Sequence, residues 1–373
     1  MSTASAPAQV VPFSRVAIVG VGLIGGSLGL ALKRSRYPAT IVGVSRPETI
    51  AAAQALGAID AGCPYAELPA ALADCDLVVL CTPIRRIIEL LPAVGRSVRA
   101  GTVVSDVGST KRQICAQAAA ALRPDTWFIG GHPMAGSEKS TVTAADPYLF
   151  QNALYIVVPP PQLPEAARGR FLDLLQHLGA RALELDAQTH DEVVAAISHL
   201  PQMIATSLVR LVGQLQEQRP WFVPLAAGGF RDLTRIATSR FVPVWEDICA
   251  TNGDALRSML DRYLAVLADL RDRLPALGDD FACANRVREA IPRDAKGFIH
   301  RLFELLVVAE DRPGVLAEIT GALAAAQINI SDIEIMKVRE GIGGTIRLGF
   351  DTESAADRAL GCLARLGYQA RRP

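Results

Sequence analysis

The chain has 373 residues, 50% hydrophobic and 20% charged, with Lys+Arg and Asp+Glu balanced at 38 each. At about 150 residues per domain this length suits two or three globular domains, and the composition excludes a disordered, collagenous or disulfide-scaffold protein. Zero net charge and 5% aromatic content argue against nucleic-acid binding, which needs a basic face and stacking rings.

The seven cysteines, at 63, 75, 81, 115, 249, 283 and 362, form no CxxC pair. Metal and disulfide frameworks need paired spacing, so reduced thiols in a cytoplasmic protein without a bound metal are expected. The N-terminus lacks the basic-then-apolar order of a secretory signal. Val16 to Leu32 is uncharged for 17 residues, just short of the ~18–20 of a membrane span. Its five glycines point instead to a buried strand leading into a tightly packed helix, and no membrane association is expected.

In chain order, the first half alternates near-continuous apolar runs (RVAIVG, TIVGVS, DLVVLCTP, GTVVSDVG, TWFIGGH, ALYIVVPP) with Ala/Leu-rich helical stretches. Such runs suit strands buried on both faces of a parallel sheet, and the alternation predicts a doubly wound α/β domain over residues 1–162. PPPQLP forms the linker. Over 163–296, after one more helix and strand, AISHLPQMIATSLVRLVGQLQ and GDALRSMLDRYLAVLADLRDRL repeat apolar residues every three or four positions, which predicts a mostly helical domain. Its apolar faces exceed what one copy can bury, so a homodimer is expected. Residues 297–373 read as βαββαβ, a ferredoxin-like order.

Gly20-Val21-Gly22-Leu23-Ile24-Gly25 follows an apolar strand and opens a helix. In that context GxGxxG is a dinucleotide-binding fingerprint: a tight turn, a close backbone approach to pyrophosphate, and close helix–strand packing at the helix N-terminus. The second strand ends Ser45-Arg46 rather than in an acid. A hydroxyl and a guanidinium suit a 2′-phosphate, so NADP is favoured slightly over NAD. Thr82, Pro83 and Asp106, at later strand ends, complete the candidate cofactor set.

Ligands of open α/β sheets bind outside the carboxyl ends of the strands. Two polar segments close strands there: Ser105-Asp106-Val107-Gly108-Ser109-Thr110-Lys111, and Gly130 to Glu138 (GGHPMAGSE). A third polar group, His190, His199 and Gln202, lies on a predicted helix; the last two share a face if the helix tolerates Pro201.

Together GVGLIGGSLGLALK, SDVGSTK, GGHPMAGSEKS, SHLPQ and GGFRDLTRIA resemble the prephenate dehydrogenase family, which includes the cyclohexadienyl and arogenate dehydrogenases of tyrosine biosynthesis. The resemblance covers nearly the whole chain. It implies a Rossmann domain, a helical dimerisation domain and a C-terminal ACT domain, with oxidative decarboxylation of prephenate to 4-hydroxyphenylpyruvate by NAD(P) as the reaction. His132 matches the catalytic histidine that accepts the ring hydroxyl proton, and Ser109 the serine that bonds the same hydroxyl and helps orient that histidine. Arg235 matches the arginine that grips a substrate carboxylate. His190 and His199 match further substrate-side positions, and Glu138 and Trp245, with Arg231 and Asp232, resemble a gate over the pocket. Gln202 departs from the family's frequent second histidine, which makes arogenate more acceptable. In the ACT segment, Asp311, Arg312, Pro313, Gly314 and Val315, with Asn329 and Ile330, are the implied effector site, L-tyrosine being the candidate. Two rivals stand beside this reading. A 3-hydroxyacid dehydrogenase would rely on a helical-domain lysine, which the segment around SHLPQ lacks. A catalytically silent amino-acid sensor would have no chemical need for Ser109, His132 and Arg235 together.

Overall fold

The structure, a computed structural model, describes residues 10–136, 141–291, 302–310, 312–335 and 344–372. The chain divides into two units, Met1–Pro275 and Ala276–Pro373.

In the first unit, strands β1 (Arg15–Val19), β2 (Thr40–Ser45), β3 (Ala61–Pro64), β4 (Leu77–Leu80), β5 (Val103–Asp106), β6 (Trp127–Pro133), β7 (Leu154–Val158) and β8 (Arg181–Glu184) form one sheet. Its order is β3-β2-β1-β4-β5-β6-β7-β8. Helices α1 (Leu23–Arg34), α2 (Pro47–Ala55), α3 (Leu68–Leu72), α4 (Ile84–Ser97), α5 (Arg112–Ala121) and α6 (Glu165–His177) cover its faces. Leu28, Leu32, Phe150 and Phe171 fill one core layer, and Leu72, Ile87, Leu91 and Ile114 the other. Burial from both sides explains why β1 and β4 read as near-continuous apolar runs. The uncharged run from Val16 is indeed a strand and a helix start, with Val16 to Val19 fully buried.

Two details depart from the expected sheet. β3 is a four-residue edge strand, Ala-Gly-Cys-Pro, too short and too poor in β-branched residues to show as an apolar run. β7 pairs antiparallel with β6. Among the described residues the β6–β7 link carries only one short turn, Val142–Ala144, and without a crossover helix the chain returns in the opposite direction. The α6–β8 pair, placed after the expected 162/163 boundary, joins this same sheet through β7.

The sheet reverses its winding between β1 and β4, which is where open α/β sheets bind ligands. Register makes that edge level: Val19 pairs with both Val44 and Leu80, and Leu80 with Asp106. The loops after β1, β2, β4 and β5 therefore open side by side.

The rest of this unit is helical: α7 (Ala187–Val194), a π-helical turn (Ala195–His199), α8 (Leu200–Gln218), α9 (Gly228–Thr234), α10 (Glu246–Thr251) and α11 (Gly253–Asp272). The continuous run Ala187–Gln218 is long and apolar enough to cross a membrane by length and composition, yet only 28% of its most apolar window is buried. Polar clamps fix these helices to the sheet domain. Arg85, at the start of α4, binds Asp247 through its backbone N–H (3.1 Å) and its guanidinium, and Glu246 at 2.5 Å. Thr110 and Thr251 share a 2.8 Å hydroxyl contact.

The second unit holds α12 (Gly278–Ala290), β9 (Phe303–Ala309), α13 (Val315–Ala325), β10 (Asp332–Ile335), β11 (Gly344–Phe350), α14 (Glu353–Arg365) and β12 (Gln369–Arg371). Its antiparallel sheet runs β10-β11-β9-β12 over a core that includes Leu305, Val307, Ile319, Leu323 and Phe350. From β9 on this is the expected βαββαβ order. α12 groups with this unit, although it lies inside the span 163–296 expected for the helical domain.

Lys111, immediately before α5, and Asp106, at the end of β5, form an ion pair with both side chains wholly buried. Asp106 also accepts the N–H of Gly108 (2.8 Å) and of Gly131 (3.1 Å), so one carboxylate ties the β5 loop to β6. Removing one partner of a buried pair strands the other charge, at about 3–5 kcal/mol. Lys111→Met should lower unfolding stability by that order in denaturant titration, and an unchanged midpoint would refute this assignment.

Candidate active site

The glycine loop forms as expected. Gly20 has φ +95°, and a Cβ there would lie 2.7 Å from Thr82 Cγ2. A Cβ on Gly25 would lie 2.3 Å from the Gly20 carbonyl oxygen, so α1 can reach the strand only with glycine there. Above the loop is a cavity of about 470 Å³ at the start of α1. Of the expected cofactor residues, Gly20, Gly22, Ser45, Arg46, Thr82 and Pro83 line it. Thr82 Oγ1 is buried with no hydrogen-bond partner among the described residues. Such an atom awaits a polar ligand, and a dinucleotide fits it, the loop and the helix N-terminus together.

Four expected cofactor residues fall outside the cavity lining. Leu23 is buried, Ile24 packs on the core, and Gly25 lies beneath the loop. Asp106 is 0% exposed and spends both oxygens on Lys111, Gly108 and Gly131, so it braces the two loops rather than meeting a cofactor. The cavity also includes Glu48, Thr49, Tyr65 and Thr141, which sequence reasoning missed. Glu48 is the informative one: its carboxylate lies 3.3 Å from Arg46 Nε.

His132 sits half-buried in β6. Its Nδ1 is 2.9 Å from His190 Nε2, and the rings meet edge to face at 5.1 Å. His190, wholly buried at the end of the first turn of α7, places its Nδ1 2.8 Å from Asp191 Oδ1. Asp191 is also wholly buried and caps α5, accepting the N–H of Lys111 (2.7 Å) and of Arg112 (3.0 Å). Burial first, then the nearby His190, Lys111 and His199, hold the His132 pKa well below 6.5, so His132 is a neutral imidazole able to accept a proton.

Ser109 lies half-buried in the loop after β5. It is not the cap of α5, which starts at Arg112 after Lys111. It makes no hydrogen bond among the described residues, so its hydroxyl is open to a substrate, while the imidazole of His132 is held by His190. The residue that meets His132 Nδ1 is His190, a histidine that sequence reasoning places on the substrate side.

His199 ends the π-helical turn, 1% exposed, with its ring edge-on to Trp245 at 5.9 Å. Trp245 therefore packs on the site's own histidine. Asn252 Nδ2 lies 3.4 Å from His199 Nδ1 and donates to the Asp191 carbonyl at 2.8 Å. Gln202 is 5% exposed, and its amide donates to Thr206 at 3.3 Å. Pro201 stands where the π-helical turn passes into α8, and the helix continues through it, so His199 and Gln202 do share one helical run. Arg235 is exposed on the short turn after α9, with no ion pair among the described residues; Arg231 and Asp232 are exposed as well. Glu138 lies outside the described residues. Asp191 and Asn252 carried no distinguishing sequence signal, because an acid beside a histidine at a helix start is commonplace until its burial is known.

In the second unit a cavity of about 240 Å³ is lined by Glu310, Arg312, Pro313, Gly314 and Val315 at the start of α13. Arg312 reaches Glu310 at 3.4 Å and Glu318 at 3.1 Å. Asn329 and Ile330 do not line this cavity, and Asp311 lies outside the described residues.

Family models for the prephenate dehydrogenase nucleotide-binding domain, the prephenate dehydrogenase dimerization domain and the ACT domain match residues 28–184, 186–281 and 303–360. The prephenate dehydrogenase of Bacillus subtilis is 34% identical over 95% of this chain and 97% of its own. The chain belongs to the prephenate dehydrogenase family. Within this family, the cyclohexadienyl dehydrogenase of Zymomonas mobilis is 31% identical over 72% of this chain and 91% of its own. Among solved structures, the Aquifex aeolicus prephenate dehydrogenase in complex with hydroxyphenyl propionate and NAD+ superposes with a TM-score of 0.67. It is 27% identical, covering 75% of this chain and 98% of that one. Synechocystis arogenate dehydrogenase gives 0.65 at 28% identity, covering 74% and 98%.

Burial lowers the His199 pKa from 6.5 to about 4, Asp191 opposing and His190 assisting. The unfolded chain therefore binds a proton between those values that the fold refuses. This contribution to stability is complete above pH 6.5 and is lost as pH falls from 6.5 to 4, roughly 3 kcal/mol in all. His199→Gln should flatten the decline of Tm across that window, His132 retaining part of the slope; an unaltered slope would count against the assignment.

Proposed function

We propose that this chain oxidatively decarboxylates prephenate to 4-hydroxyphenylpyruvate and also accepts arogenate. The observation that carries the reading is the neutral His132, held by a buried partner at the carboxyl edge of a sheet whose neighbouring loops cradle a dinucleotide.

NAD(P) would lie along Gly20, Gly22, Ser45, Arg46, Thr82 and Pro83, and supplies the hydride acceptor. The residues of the chain do the rest. His132 takes the ring hydroxyl proton as hydride departs from the same carbon. The carbon–carbon bond to the ring carboxylate breaks, carbon dioxide leaves, and the bonding pair completes the aromatic ring. The proton then returns from His132 to the phenolate oxygen. Ser109 donates to that oxygen, and Arg235, a planar fork suited to a carboxylate, binds an acidic group of the substrate. Gln202 adds no positive charge beside the substrate side chain, so an ammonium is tolerated where a keto group also fits. The outcome to measure is the near-ultraviolet absorbance of reduced nicotinamide with prephenate or arogenate and NAD or NADP. Turnover of both substrates is expected. A large prephenate preference would sink the reading of Gln202, and no reduction in any combination would favour a silent sensor. The acid limb of kcat/KM should fall below 6.5, because His132 resists protonation.

On the cofactor, Ser45 and Arg46 favour a 2′-phosphate, while Glu48 occupies Arg46 and repels one. Both side chains are exposed, so the effect is modest. Glu48→Gln should improve kcat/KM for NADP several-fold and leave NAD little changed; a fall for NADP would overturn this.

A homodimer accounts for exposed apolar residues on the helical elements, among them Ile197 and Leu211 on the long run and Leu264 and Val266 on α11, which are costly to leave in water. The Arg312 cavity suits an amino acid, with a guanidinium for the carboxylate and Glu310 for the ammonium. We assign it to feedback by L-tyrosine, in a cytoplasmic enzyme.

A further inference from the structure

We propose that Asp191 is a positioning residue that sets the tautomer of His132 through His190, and so decides which imidazole nitrogen meets the substrate. This rests on the dehydrogenase reading above. Asp191 is surrounded by donors: the Lys111 N–H at 2.7 Å and the Arg112 N–H at 3.0 Å, the Arg112 Nε at 3.3 Å, and His190 Nδ1 at 2.8 Å. Burial alone would raise its pKa, but the bonds from His190 and the two amides outweigh burial and lower it. Asp191 is therefore a carboxylate and can only accept.

The consequences run in one direction. His190 must carry a proton on Nδ1 to donate to Asp191. In the neutral ring its Nε2 is then a lone pair. That atom lies 2.9 Å from His132 Nδ1, so His132 donates from Nδ1. A neutral His132 so arranged has a bare Nε2, the only ring nitrogen left to take the substrate proton. When it does, the proton moves from the hydroxyl oxygen to Nε2, no proton leaves Asp191, and the imidazolium points its Nδ1–H along the same two bonds towards a carboxylate. With Asp191 a carboxylate, only a doubly protonated His190 would reverse the bond to His132. The other charged or titratable groups facing the relay are Lys111 and Arg112 before and at the start of α5, Asp106 at the end of β5, His199 on the π-helical turn, and Asp254 on α11, which Arg112 binds at 2.7 Å.

Asp191 also caps α5, so a variant there could act through folding alone. Three measurements on the full-length protein separate the roles. First, nitrogen-15 spectra of histidine-labelled wild type resolve the ring nitrogens of only five histidines, with His132 assigned by its loss in His132→Gln. A bare Nε2 and a protonated Nδ1 are expected at neutral pH; a protonated Nε2 overturns the proposal. Second, Asp191→Asn, which can present an amide donor to His190, should invert that tautomer and lower kcat by about 10²–10⁴-fold, with KM changed only a few-fold. An unchanged kcat overturns the proposal. Third, His190→Gln leaves the α5 cap on Asp191 intact. It should lose a similar factor in kcat at near-wild-type Tm, and the double variant should fall no further than either single one. Additive losses would mean that Asp191 acts on the fold alone. Should wild type reduce no cofactor with any substrate, the reaction reading fails, and the ring-nitrogen spectrum still decides the tautomer.

Discussion

One buried carboxylate joins the two halves of the first unit. Asp191 stands on α7, in the helical part, and accepts from the N-terminus of α5, in the sheet part. An acid at that place answers the unpaired amides and the positive end of the helix at once. The Arg112 side chain then ties the same corner to Asn252 and Asp254, and Asn252 returns to the Asp191 carbonyl. The cleft between sheet and helices is thus walled by mutual hydrogen bonds that water would otherwise have to supply. Leaving a buried one unmade, such as that from Asn252 to the Asp191 carbonyl, costs more than the bond itself is worth.

The sheet side meets that wall with a second buried charge. Asp106 and Lys111 hold the β5 loop against β6, which sets where His132 projects. A low-dielectric site strengthens fixed hydrogen bonds and penalises stray charges. The same burial keeps His132 and His199 neutral. Chemistry and rigidity here share one cause, the exclusion of solvent by a network whose polar members are satisfied by one another.

Much of this could be read in the residues. Apolar runs separated by amphipathic stretches specify a buried parallel sheet, and the glycines of Gly20 to Gly25 are needed wherever backbone must touch backbone. His132 and Ser109 stood out because polar residues closing a buried strand need a reason. The partners within the cleft were harder to find. Asp191 follows His190 in sequence as any acid might, and its meaning arises only when α7 docks on α5. Asp106 misled for the opposite reason: it occupies a cofactor-facing position in the chain, yet Lys111, five residues on, draws it inward. Glu48 escaped notice because it lies on α2 rather than at the strand end, and only the turn of that helix brings it back to Arg46. The antiparallel β7 was hidden because a strand's direction depends on the link before it, not on its own residues.

The π-helical turn at Ala195–His199 has a consequence for phase. An α-helix advances about 100° per residue, so nine residues, the separation of His190 and His199, would set the two rings on opposite sides. A π-helical turn accommodates one extra residue, which brings the difference back to about 80° and lets Asn252 touch both His199 and the Asp191 carbonyl. The helix behaves like a screw with one widened thread. Ahead of that thread it presents His190 to the ring of His132, and behind it His199 to Trp245, from a single unbroken rod. A homologue shorter by one residue here would reach the same phase with a plain α-helix, whereas a plain α-helix of the present length would aim one of the two histidines elsewhere.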